Sequence, residues 1–247
     1  MNEAKNPKLR GVDKYKPDYP LGQFPSGFAM ELGKELIYLL ATRNPPTLEG
    51  SDWEQIFARC VGAEWAPSNV GLNDVQLHQM AWSAKTVKIK NPFTVKRVRL
   101  VSGRNSPDYS FSIENVHTED PNQLGEMILG IWNARITDVR KRFATTRTVV
   151  LIKGEDLSTV SVFEEEALKY LPEDYEWDWN ERGNLEGFLR GTDVKKFTWQ
   201  PHGSQFTITT NVPSNRLKLR IRRPPVFDRD EVLTQLKFDP SWIEIVK

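Results

Sequence analysis

Gly71-Leu72-Asn73-Asp74-Val75 and, a few residues on, Trp82-Ser83-Ala84-Lys85-Thr86-Val87-Lys88-Ile89 decide how this chain is read. Residues 70–78 and 80–89 form two extended runs separated by a short break, and Thr86 to Ile89 alternate with period two, which predicts a β-hairpin. Side chains alternate between the faces of a strand, so Ser83 and Lys85 share one face and the hairpin brings Asp74 near both. Just upstream, residues 50–61 put Trp53, Ile56, Phe57 and Cys60 on one helical stripe, with Glu54 leaving at a different angle. A helix is also expected over residues 26–43, from Phe28, Leu32, Leu36, Leu39 and Leu40, with Ser26 as its cap and Asn44-Pro45-Pro46 as its stop.

Downstream, residues 95–101 read as a strand and 102–107 as a loop. Residues 124–143 carry a helical stripe of Ile128, Ile131, Trp132, Ile136 and Val139. Residues 148–152 are a compact β-branched strand with 158–163 as partner, 197–208 two strands about a Pro201-His202-Gly203-Ser204 turn, and 217–221 another alternating strand. Residues 153–186 are less regular and hold eleven acidic residues against three basic ones, with Trp177 and Trp179 read as plugs of a core rim. Residues 1–25 contain four of the sixteen prolines and read as an arm laid over the surface or a partner. The order helix, hairpin, helix, strand favours an α/β protein with a mixed sheet flanked by helices. No repeat or sharp composition break appears, so one domain is expected over 1–247, with the arm at 1–25, a core at 26–163 and a C-terminal elaboration with additional β-strands at 164–247.

With 247 residues, 38% of them hydrophobic, the chain is long enough to bury a core without disulfides or structural metal. Lys and Arg number 34 against 33 Asp and Glu, so a nucleic-acid reading has to rest on where the charges sit. The lone Cys60 excludes an intramolecular disulfide, a Cys-based zinc site and a CxxC motif, and three histidines (His78, His117, His202) make a poor metal set. Metal chemistry then falls to carboxylates and a hard cation. No apolar run follows the first residues and none is long enough to span a bilayer, so the expectation is a cytoplasmic protein with no membrane contact.

Asp74 and Lys85 are the pair to which chemistry can be attached. A carboxylate binds a divalent cation through oxygen, while a nearby ammonium orients a water and offsets developing phosphate charge, as phosphodiester hydrolysis requires. An Asp near a turn with a Lys about ten residues on is common by chance; the helix carrying Glu54 makes the pair more specific.

This constellation resembles the PD-(D/E)xK nuclease superfamily, and type II restriction endonucleases in particular, over residues 50–105 and on toward the strands at 148–163. In that family a helix contributes a Glu, a strand an Asp, and the next strand an acid-x-Lys. Glu54 is similar to the helix acid, Asp74 to the metal-binding Asp and Lys85 to the active-site Lys. Ser83 stands where the second carboxylate usually is, as in restriction enzymes that use Ser-x-Lys with an acid from another element, for which Glu54 or a later acid such as Glu114 or Asp108 is a candidate. The resemblance implies a restriction-endonuclease-like core and a Mg²⁺ held by Asp74, Glu54 and the Ala84 carbonyl. It implies that Lys85 positions the water, that Ser83 gives weak support, and that double-stranded DNA is cut at a specific sequence, leaving a 5′-phosphate. For palindromic sites it implies a two-fold homodimer. A chain that kept the fold and lost the metal through Ser83 would be a non-catalytic nucleic-acid-binding module, and the acidic 153–186 surface leaves a protein-interaction domain as a third reading.

From Lys85 to Arg104 there are seven basic residues and no acidic one: Lys85, Lys88, Lys90, Lys96, Arg97, Arg99 and Arg104. As a segment they suit a phosphate backbone; singly they also suit a solvated strand face. Arg135, Arg140, Lys141, Arg142 and Arg147 form a second group, placed either to favour a helix end or to meet DNA. Arg216, Lys218, Arg220, Arg222 and Arg223 form a third, the first four spaced two apart along one strand face that could track a backbone. For base readout, Arg104, Asn105, Gln200, His202 and Gln205 have suitable hydrogen-bonding chemistry and sit in loops or turns, although Gln200 and His202 equally suit the turn's own backbone.

Overall fold

Leucines spaced three and four apart wind Phe28–Thr42 into α1, which buries Phe28, Leu32, Leu36, Leu39 and Leu40. The helix starts one residue later than a Ser26 cap would set it: Gly27 takes the N-cap position in the left-handed region (φ 86°), and no side chain caps it. Gly50–Val61 forms α2, opened by a capping box in which the Glu49 side chain and Asp52 answer each other's backbone N–H, and closed by Gly62 at φ 68°. Arg43 then grips the same Asp52 with two bonds of 2.6 and 2.7 Å, fixing the α1–α2 connection. This computed structural model describes residues 15–66 and 72–246.

Beyond α2 come β1 (Glu64–Trp65), β2 (Val75–Leu77) and β3 (Met80–Lys88). The expected hairpin is β2–β3, turning at His78 (φ 49°), but the paired part of its first strand is only three residues long. Residues 70 and 71 of the expected run lie outside the described residues. β4 (Arg97–Arg104) follows, so Ser102 to Arg104, expected in a loop, extend a strand. Next come α3 (Pro107–Phe111), α4 (Pro121–Arg142), β5 (Thr145–Lys153) and β6 (Thr159–Glu166). The less regular stretch contains a hairpin of β7 (Tyr175–Trp179) and β8 (Leu185–Leu189). The chain then runs through β9 (Lys195–Gln200), β10 (Gln205–Asn211), β11 (Leu217–Arg220) and a short α5 (Arg229–Gln235) that buries nothing.

The fold is mixed α/β. One sheet has the order β1-β2-β3-β5-β6-β11, with β3 and β5 parallel and the other pairs antiparallel; the second is antiparallel, β4-β10-β9-β8-β7. The sheets interleave along the chain: β4 precedes residue 163 yet joins the second sheet, and β11 follows it yet pairs with β6. Period two splits β3 between two cores. Met80, Trp82 and Ala84 pack with Leu36, Trp53 and Phe57 of α1 and α2, while Ala81 packs with Ile128 and Trp132 of α4 and Phe197 and Phe206 of the second sheet. Trp177 is buried as expected, stacked on Phe197 at 5.5 Å. It lies so close over Gly125 and Gly187 that a Cβ at either would come within 2.4 or 2.9 Å of its ring. Among the described residues no helix is long and apolar enough to cross a membrane.

Residues 15–25 lie over the first sheet and are tied there by a buried acid. Glu164 Oε1 accepts from Tyr19 Oη and Trp82 Nε1, each at 2.7 Å, and Arg147 donates to Oε2 at 3.2 Å. Arg147 also donates to the Tyr19 carbonyl at 2.9 Å. That use removes Arg147 from any DNA surface, whereas Arg140 stays exposed while donating to the Ala167 carbonyl. Stripping one partner from a buried ion pair strands the other charge, so Arg147→Met is expected to cost roughly 3–5 kcal/mol, against about 1 kcal/mol for Tyr19→Phe. Urea unfolding measures both; equal costs would contradict this account of the network.

Candidate functional site

Asp74 sits one residue before β2, and the register that pairs Val75 with Trp82 sets it opposite Ser83. Its backbone no longer pairs with β3, though its carbonyl still accepts the Ala66 N–H, and its side chain takes the place of a strand partner: Oδ2 accepts the Ala84 N–H at 3.0 Å and the Ser83 hydroxyl at 3.3 Å. A strand residue's N–H and C=O leave on the same side, so the Ala84 carbonyl faces the edge where Asp74 lies. Asp74 is only 4% exposed. Burial pushes its carboxyl up to about 6; the Lys85 charge and the Ala84 N–H draw it down, and the Glu54 charge pushes it further up. Lys85 and Glu54 therefore both act on the one buried carboxylate of Asp74.

Glu54 reaches this place from α2, half-buried and held by the Trp65 indole, which donates to Oε2 at 3.0 Å. Sequence reading missed Trp65, which comes to Glu54 only because Gly62 reverses the chain and β1 pairs with β2. Lys85 is half-buried on the β3 face turned toward the second sheet. There a crevice of only about 10 Å³ is lined by Ser83, Lys85, Ser102, Thr148 and Glu165. Ser83, Thr148 and Glu165 stand at matching register on β3, β5 and β6, continuing the row that Asp74 begins. Strands are spaced about 4.8 Å apart, which places Glu165 roughly 14 Å from Asp74, too far to share a cation with it. Burial raises the Glu165 carboxyl, and the Thr210 hydroxyl donates to it.

Of the acids expected to compensate for Ser83, Glu54 acts on Asp74, while Glu114 and Asp108 are exposed. Among the described residues no three His, Cys, Asp or Glu side chains gather into a metal-holding group. The available set is two carboxylates, Asp74 and Glu54, and the Ala84 carbonyl. That suits Mg²⁺, which takes one or two carboxylates and keeps several waters, and a cation would relieve the raised Asp74 carboxyl.

The seven basic residues from Lys85 to Arg104 do not form one surface. Lys88 pairs with Glu155, and with Lys90 it sits at the far end of β3, about 13 Å along the strand from Ala84. Lys96, Arg97 and Arg99 are exposed; the two arginines alternate with buried Val98 and Leu100 and so leave the outer face of the second sheet. Arg104 lies at the other end of β4, in register with Gln205, which is itself opposite Gln200. Arg104, Gln200, Gln205 and the exposed His202 thus share one end of the second sheet. Asn105 must be withdrawn from the base-reading set: it is 0% exposed. Its Nδ2 donates to the Ile128 carbonyl at 2.9 Å, and its own carbonyl accepts from Trp199 Nε1 at 2.7 Å, tying α4 to the second sheet. In the third basic group Arg216 folds back onto the Pro213 and Phe93 carbonyls, leaving Lys218 and Arg220 on the exposed face of β11.

Comparison with protein-family models, with curated proteins and with solved structures returned no match to this chain.

Because its carboxyl is raised from 3.8 to about 6, Asp74 binds its proton more tightly in the folded chain than in the unfolded one. Stability is therefore lost as pH rises from about 4 through 6. Without divalent cation, Asp74→Asn should match wild type near pH 4 and exceed it above pH 7, by up to about 3 kcal/mol. Thermal unfolding at the two pH values reads this; equal melting temperatures at the higher pH would refute it.

Proposed function

We propose that this chain is a Mg²⁺-dependent DNA endonuclease with a restriction-endonuclease-like core, cutting double-stranded DNA at a specific sequence and working as a homodimer. One observation carries the reading: the buried Asp74 carboxylate, bonded to the Ala84 N–H and the Ser83 hydroxyl, is the point on which the Lys85 and Glu54 charges both act. The mixed sheet supports it by holding an acid just ahead of β2 beside a Ser-x-Lys on β3, with the helix that brings Glu54 packed against them.

Asp74 and Glu54 supply carboxylate oxygens and Ala84 a carbonyl. Mg²⁺ held there would polarise a phosphoryl oxygen and lower the pKa of a bound water. The Lys85 ammonium orients the water and offsets charge on the phosphate. Ser83 keeps Asp74 in its rotamer by donating to the oxygen that also takes the Ala84 N–H. Arg104, Gln200, His202 and Gln205, gathered at one end of the second sheet, carry the donors and acceptors that read base edges.

A second reading, a binding module that keeps the fold without the chemistry, draws on two facts: Ser83 supplies no carboxylate, and the crevice beside Lys85 is narrow. A mixture of plasmid and phage DNAs incubated with Mg²⁺ separates the two. Wild type is expected to cut, with Asp74→Ala and Lys85→Ala each slowing cleavage by roughly 100-fold or more, and Glu54→Gln by about 10-fold. Salt-sensitive binding with no cleavage by wild type would favour the module, and cleavage that survives both alanine changes would remove the site assignment.

A further inference from the structure

Next to Asp74, with Leu72 and Asn73 in its lining, a cavity of about 860 Å³ opens between the end of β4, α3 and the C-terminal half of α4. Its size is that of a ligand pocket, roughly 300–1,000 Å³, and two chemistries meet on its walls. Arg104, Arg135 and Arg142 line it, and among the described residues none of the three has a carboxylate within 4.0 Å. Asp138, the acid on the wall, is turned to Lys141 at 3.5 Å. The same lining carries Tyr109, 88% exposed, and Phe111, 48% exposed.

The cationic side of this cavity is built into the fold. Arg135 is half-buried, burial lowers its pKa, and among the described residues its guanidinium donates only to the Arg104 carbonyl. It occupies the space left by Gly103, where a Cβ would fall 2.3 Å from its Nη1. Gly103 has φ 143°, a conformation other residues rarely take, so both the backbone shape and the missing side chain serve the guanidinium. A partly desolvated cation without a counter-charge is costly unless an anion reaches it. An anionic group joined to a flat ring is what this lining would accept.

We propose that this cavity takes one unstacked nucleotide of a bound DNA strand, its base against Tyr109 and Phe111 and its phosphates on Arg104, Arg135 and Arg142. The proposal rests on the endonuclease reading for the identity of the polymer and adds to it a pocket beside the reacting centre. A base within a duplex is covered on both faces by its neighbours, so only an unstacked one presents a free ring to Tyr109. The end of the second sheet that carries Gln200, His202 and Gln205 adjoins Arg104, so a strand read there is led toward the cavity.

The test uses the full chain in EDTA with random-sequence single-stranded oligonucleotides carrying 5-iodouracil, photocross-linked and mapped by peptide mass spectrometry. Cross-links are expected at Tyr109 or Phe111. Tyr109→Ala, at an exposed position whose loss spares the fold, should weaken single-strand binding about 5-fold or more, and Tyr109→Phe should restore it. Arg135→Ala should flatten the salt dependence of binding. Cross-links confined to other residues, or unchanged affinity in Tyr109→Ala, would overturn the proposal. Duplex cleavage, assayed in parallel, keeps the two ideas apart: cutting without these cross-links refutes the pocket alone, and these cross-links without cutting uphold the pocket and refute the endonuclease.

Discussion

The parallel pairing of β3 with β5 is the constraint from which the rest follows. Nine residues of each strand run in register, and neither is at a sheet edge. A parallel pair cannot be joined by a tight turn, and the chain between them supplies β4, α3 and α4 as the crossover. That crossover carries the second sheet and α4 over the Ala81-Ser83-Lys85 face, while α1 and α2 already occupy the Met80-Trp82-Ala84 face. On the other side of β3, β2 stops pairing at Val75, and the unspent Ala84 N–H is taken by the Asp74 carboxylate. The candidate site is the place where a ladder ends and a side chain completes it.

Two buried acids of this sheet show how the surroundings separate structural from chemical roles. Glu164 is enclosed by Tyr19, Trp82 and Arg147, three donors on two oxygens, and works as a fastener for residues 15–25. Asp74 has one N–H and one longer hydroxyl bond, and a neighbouring acid that opposes its charge. Burial raises both carboxyls, Asp74 to about 6; what sets Asp74 apart is that its neighbours are the charges of Lys85 and Glu54 and not an enclosing set of donors. A strongly shifted acid with a lysine and a second acid around it is the pattern that active sites share. The unmatched arginines of the adjoining cavity are its cationic counterpart.

What was legible in the sequence was what repeats locally. The leucine stripe of α1, the Trp53-Ile56-Phe57 stripe of α2, the α4 stripe, the β2–β3 hairpin and the strands about Pro201 to Ser204 all follow from period and turn chemistry, and the Glu54-Asp74-Lys85 grouping follows from the hairpin plus one helix. What escaped depends on partners distant in the chain. Ser102 to Arg104 looked like a loop because Gly103 breaks the pattern, yet β10 pairs with them. Glu164 and Arg147 looked like surface charges until β5 and β6 placed them together. Asn105 looked like a polar loop residue, whereas Trp199 and Ile128 bury it. The basic run looked continuous because sequence does not show that β3 and β4 belong to different sheets.

The central claim is that Asp74, Glu54 and the Ala84 carbonyl converge on one divalent cation. Anomalous diffraction from crystals of the chain grown with an oligonucleotide duplex and Mn²⁺ tests it most directly. The account predicts a manganese peak within roughly 2.0–2.5 Å of an Asp74 oxygen and the Ala84 carbonyl oxygen, lost in Asp74→Asn crystals. A peak at another cluster of oxygens, or none beside Asp74 with DNA in place, would contradict it.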